Sequence, residues 1–110
     1  MTDGNKHKVI ISKLATQMLV AHAAFLVHVN KKVAEGLVDS FENAANSLRS
    51  MPQSYPWLTG EYISHNKYRY LLFEKRYMLI FQLEEDRVFA EYVIDCRQEY
   101  GWLIRSIQLK

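Results

Sequence analysis

Apolar positions change their spacing twice along this chain. Val9, Ile10 and Ile11 run together as a β-branched segment, the pattern of a short strand. After Ser12, a residue suited to capping a helix, Leu14, Met18, Ala21, Phe25 and Val29 recur at helical intervals, with Leu19, His22 and Leu26 broadening the stripe. This spacing predicts a helix over 13–29. Asn30, Lys31 and Lys32 form a polar break. Val33, Leu37, Phe41, Ala44, Leu48 and Met51 then predict a second helix, closed by Pro52. Gly36 inside it costs about 1 kcal/mol against Ala, which a close helix crossing would explain. So short a connection predicts an antiparallel helical hairpin.

From Pro52 to Asn66 the chain reads as a loop, broken by Pro52, Pro56, Gly60 and Asn66. Tyr55, Trp57 and Tyr62 predict that this loop packs down. Three aromatic-rich segments follow, Lys67 to Phe73, Tyr77 to Glu84 and Arg87 to Cys96, separated only by Glu74-Lys75-Arg76 and Glu85-Asp86. These predict a meander. Met78 to Phe81 are all apolar, the mark of a strand in the middle of a sheet. The expected order is β-α-α-β-β-β, an α+β fold in which the helical hairpin covers one sheet face and leaves the other open.

With 110 residues, 49% of them hydrophobic, and only 4 Gly and 2 Pro, the chain reads as one packed domain over 1–110. Residues 1–8 are expected to form a polar tail and 103–110 a C-terminal tail. Fourteen basic and twelve acidic residues leave a net charge of +2, too slight to argue for nucleic acid. Any such case must rest on where the arginines sit. The lone Cys96 excludes an internal disulfide and suits a reducing compartment. The N-terminus is polar, and the run LATQMLVAHAAFLV is interrupted well short of the ~20 residues that a bilayer span needs. A cytoplasmic location without membrane attachment is expected.

Little in the chain points to metal or cofactor chemistry. His22 and His28 lie on different faces of the first helix, His22 expected to pack in the hairpin and His28 near its exposed end. Cys96 has no partner at ligand spacing, and no glycine-rich phosphate loop occurs. No metal and no cofactor are expected. Basic residues of the meander are more suggestive. Lys67 and Arg69 alternate and so should project from one strand face. Arg76 sits at the first turn, and Arg97 follows the last strand. A solvated edge strand kept polar against aggregation would account equally well for the first two. Tyr100 and Trp102 lie beyond the sheet, where large aromatics have less need to pack.

The order of elements, the Met51-Pro52 step and above all the block from Asn66 to Ile104 resemble the RelE/ParE superfamily, the toxins of bacterial type II toxin–antitoxin modules, often labelled plasmid stabilisation proteins. The block is similar to the family pattern of a "YR" strand, an "RY" strand carrying a later aromatic, an acidic turn, and a strand ending before an Arg pair. This resemblance spans Val9 to Ile104. It implies a toxin neutralised by a cognate antitoxin protein. RelE-like members bind the ribosome and cleave mRNA, acting as endoribonucleases that inhibit translation, and this is the activity expected of the chain; the alternative is that of ParE-like members, which poison DNA gyrase without chemistry of their own. A degenerate member would only bind its antitoxin.

Carried over by position, Arg69 and Arg97 match basic residues of the RelE-like set. Leu71 and Met78 stand where such enzymes have Lys and Arg, Gln98 replaces the second member of the terminal pair, and Tyr100 lies near the place of the C-terminal Tyr. If RNA is cleaved, a 2′-hydroxyl attacks the adjacent phosphate. Arg69 and Arg97 would then stabilise the developing charge, and Tyr100 would stack on a base or orient the phosphate. His65 (or Glu99) would serve as general base, since arginine keeps its proton. Lys67, Arg76 and Trp102 would contact the RNA.

Overall fold

The structure is a computed structural model, and it describes residues 6–60 and 63–97. Its order is β1 (Lys8–Ile11), α1 (Lys13–Val27), α2 (Lys31–Ser47), a single 3-10 turn (Pro52–Ser54), β2 (Arg69–Phe73), β3 (Tyr77–Glu84) and β4 (Arg87–Asp95). The expected β-α-α-β-β-β succession is the observed one. The four strands lie in the order β1-β4-β3-β2. The meander pairs antiparallel, whereas β1 joins the far side of β4 in parallel, with Lys8 opposite Arg87 and Ile11 opposite Ala90.

Each helix starts on a side chain that takes over a backbone donor. Ser12 Oγ accepts from Ala15 N–H at 2.9 Å, and Asn30 Oδ1 accepts from Lys32 N–H at 2.8 Å. Asn30 is therefore a cap, and Lys31 and Lys32 belong to α2 rather than to a break. At the other end α2 stops at Ser47, earlier than the proline predicts. The intervening residues tighten into i→i−3 bonds, and Met51 turns left-handed (φ 54°) directly before Pro52.

Helix α1 rotates away from its predicted face. Ala15, Met18 and Leu19 are buried, while Phe25 is 65% and Val29 69% exposed. The helix is apolar nearly all round, so periodicity alone could not choose its buried side. His22 accordingly faces the sheet instead of the hairpin. Its Nε2 lies 3.0 Å from the Val93 carbonyl oxygen, and its ring tilts against Tyr77 at 5.2 Å. In α2 the inward residues are Ala34, Leu37, Phe41, Ala44 and Ala45, much as expected, although Val33 is exposed. A Cβ built on Gly36 would meet nothing within 4 Å, so no close crossing explains that glycine.

The register sorts the strand residues. Phe73, Tyr77, Leu79, Phe81 and Val93 share the face that the helices cover, marked by Phe41 ringing against Phe73 at 6.1 Å. Tyr70, Met78, Ile80, Tyr92 and Ile94 share the opposite face. That second face is not bare, as the meander pattern suggests it should be. Ile80, Tyr92 and Ile94 are fully buried, and Tyr68, itself 1% exposed, sets its ring edge-on to Tyr92 at 6.2 Å. Leu58 and Ile63 from the preceding loop join the same core, so the loop packs down as expected, with Tyr62 outside the described residues. A β-bulge between Ile80 and Phe81 leaves Glu91 as the extra residue on β4.

Candidate functional site

The described candidates fall into two groups at different places on the sheet. At the first, the loop strand-pairs onto the start of β2: Leu58 N–H donates to the Tyr68 carbonyl at 2.6 Å and Tyr70 N–H to the Pro56 carbonyl at 3.2 Å. This brings Trp57 opposite Arg69. The Arg69 guanidinium lies 3.7 Å from the Trp57 ring centroid and donates to the Tyr55 carbonyl oxygen at 2.6 Å. Arg69 stands across from Phe81 in the register, so it shares the helix-covered face rather than the opposite one. Lys67 precedes the strand, in a turn with His65 and Asn66, and its ammonium lies 5.2 Å from the Tyr68 ring centroid. Lys67 and Arg69 thus do not form one stripe. His65 is exposed in that turn.

The second group gathers where β3 begins and β4 ends, tied by Cys96 N–H donating to the Arg76 carbonyl at 2.8 Å. Its centre is Asp95, the one polar side chain buried among the described residues, 3% exposed. Arg76 reaches the Asp95 Oδ2 at 2.5 Å, and Arg97 N–H donates to Oδ1 at 3.0 Å. Burial pushes the Asp95 carboxyl up, but the hydrogen bonds from Arg76 and the Arg97 backbone, with the attraction of Arg76 and His22, outweigh it and hold the group below the usual carboxylate range. Between this cluster and α1 lies a cleft of about 350 Å3 lined by Gln17, Met18, Ala21, His22, Phe25, Arg76, Tyr77 and Asp95. Arg97 itself is exposed.

Two further groups are poorly suited to act as reactive centres. Burial, with the nearby Asp95 carboxylate, pushes the Cys96 thiol up, away from the thiolate form a nucleophile needs. Burial, followed by Tyr92 and Glu91, pushes the Tyr68 phenol up as well, so it stays protonated. Leu71 is half-buried and Met78 buried, so the two positions where RelE-like enzymes carry cations are part of the packing. Gln98, Glu99, Tyr100 and Trp102 lie outside the described residues. No group of three or more potential metal ligands occurs among the described residues. Nor is any described helix long and apolar enough to cross a membrane.

Sequence reasoning passed over Asp95 and Trp57. The first had a signal: a lone carboxylate ending the apolar run Tyr92-Val93-Ile94. Trp57 had none beyond its size, because its pairing with Arg69 depends on how the loop folds back.

Neither the known family profiles nor the curated proteins yield a match to this sequence. Among solved structures, the chain superposes on one from the chromosomal ParDE toxin–antitoxin system of P. aeruginosa with a TM-score of 0.67. The alignment covers 83% of this chain and 97% of that one, at 13% identity. The fold is ParE-like. The ParE-like arrangement places the Arg76–Asp95–Arg97 cluster at the end of the two central strands, beside α1, and the Arg69–Trp57 stack at the β2 edge.

Proposed function

We propose that this protein is the toxin of a type II toxin–antitoxin module, neutralised by a cognate antitoxin, and that it acts by binding its target rather than by cutting RNA. The ParE-like fold supports the first part. One observation carries the second: Arg69 and Arg76 are both engaged internally. Arg69 is stacked on Trp57 and hydrogen-bonded to a backbone carbonyl, and Arg76 neutralises a buried carboxylate. Phosphoryl chemistry needs cations preorganised toward the reacting phosphate. A guanidinium spent on an internal carboxylate contributes little to that. In the family this chain resembles, the branch without such a set poisons DNA gyrase, and gyrase is the proposed target.

A second reading, ribosome-dependent mRNA cleavage, keeps some support from the exposed Arg97 beside Arg76 at the strand end. Expression of the chain without its antitoxin separates the two. The gyrase reading expects double-strand breaks and inhibited supercoiling by purified gyrase, with mRNA intact. Prompt mRNA cleavage that is abolished by Arg97→Ala, with supercoiling unaffected, would overturn it. Growth and supercoiling both unaffected would leave only antitoxin binding.

A further inference from the structure

The end of the sheet opposite Arg97 carries a second concentration of positive charge that the proposed function does not use. There the first residues of β1 run past the C-terminal end of α2, with His7 N–H donating to the Arg49 carbonyl at 2.8 Å. Lys6, His7, Lys8, Val9 and Arg49 line a cleft of about 380 Å3. Three cations and an imidazole therefore converge on one hollow. None of Lys6, Lys8 and Arg49 has an ion-pair partner among the described residues, although the acidic turn of Glu85 and Asp86 lies close enough for Lys8 N–H to bond the Asp86 carbonyl at 2.9 Å. The His7 Nδ1 is buried and without a hydrogen-bond partner, a costly condition that a bound ligand oxygen would relieve. Arg87, across from Lys8, is faced by Glu84 on β3 and is left out of the set.

We propose that this cleft binds a phosphate of a nucleic-acid backbone. Two unpaired lysines and an arginine, with a buried imidazole nitrogen on a lining residue, supply charge and hydrogen-bond donors without a base-reading element. Affinity there is dominated by counterion release, so it falls with salt and is indifferent to sequence. The site is independent of the Arg97 end and of the gyrase reading.

The test uses the full chain and two fluorescent 15-mers of arbitrary sequence, a single-stranded RNA and a duplex DNA, in anisotropy titrations from 50 to 200 mM salt. Wild type should bind at least one of them. The double substitution Lys8→Ala/Arg49→Ala should weaken that binding more than tenfold at low salt. It should also reduce the log–log salt slope by about 0.7 to 0.9, since one phosphate no longer neutralised accounts for about 0.9 on duplex DNA and 0.7 on a single strand. His7→Ala should weaken binding severalfold with less change in slope. Lys32→Ala, at the exposed start of α2, should leave both unchanged. Affinities and slopes in the double variant equal to wild type would overturn the proposal. So would saturable binding of inorganic phosphate, seen as amide shifts of His7 and Arg49, without oligonucleotide binding, since the source would then be a free phosphate. Circular dichroism of each variant separates lost binding from lost folding.

Discussion

Removing the Arg76 guanidinium should destabilise the fold by about 2 kcal/mol, and the size of that loss follows from the burial of its partner. A surface ion pair is worth roughly 0–1 kcal/mol, whereas breaking a buried pair costs about 3–5. This pair lies between, because the Asp95 side chain is 4% exposed but that of Arg76 is 30% exposed. The bond from Arg97 N–H survives and lessens the stranding of the carboxylate. Asp95→Asn should cost less, about 1 kcal/mol, and the double variant should reveal a coupling of ~1 kcal/mol. Urea denaturation at neutral pH measures all three, and in thermal melts Arg76→Ala should lose about 8 °C, at roughly 4 °C per kcal/mol for a domain of this size. Acid provides a second arm. The folded-state pKa of Asp95 is depressed, so its stabilising contribution is present above the unfolded pKa, near 4, and disappears as pH falls through the folded value. The gap between wild type and Asp95→Asn should therefore close below about pH 4. A gap that persists unchanged to about pH 2.5, or a coupling indistinguishable from zero at neutral pH, would refute the reasoning.

Other substitutions probe other links. Gly36→Ala should stabilise the protein by about 1 kcal/mol, because the added methyl meets no neighbour and α2 gains propensity; a loss measured by urea denaturation would show a crossing that the open space contradicts. Lys75 holds a left-handed conformation (φ 63°) in the β2–β3 turn, so Lys75→Gly should raise stability by roughly 0.5 kcal/mol in the same assay. Trp57→Ala removes the ring beneath Arg69, and a destabilisation of about 2 kcal/mol with loss of near-ultraviolet dichroism is expected. Modification of Cys96 by a thiol reagent should be slower than that of a free thiol at about pH 8 and should accelerate in Asp95→Asn.

Element order was legible because each boundary carries its own chemistry. Ser12 and Asn30 cap helices, and the Glu85-Asp86 dipeptide closes a hairpin between two strongly apolar strands. The orientation of α1 was not legible, since valines and alanines surround it and only packing against β4 selects Ala15, Met18 and Leu19. The same limitation applied to Arg69. Alternation assigned it a partner in Lys67 on one strand face, but β2 begins at Arg69, and the folded-back loop supplies Trp57 as its neighbour. Periodicity describes one strand at a time. Which face a residue meets depends on elements that are distant in sequence, and so did the burial of the sheet's second face.

The parallel seam between β1 and β4 also imposes a timetable on synthesis. Ser12 bonds the carbonyl of Glu91, 79 residues later, and every β1 pairing spans a similar distance. At translation speeds of about 5–20 residues per second, the first strand waits roughly 4–16 s for the strand it must join. Closing so long a loop comes late in folding too, because its entropy must be met before any pairing rewards it. The nascent chain thus holds a helical hairpin long before it has a complete sheet. Whatever activity resides on the assembled sheet is silent through that interval.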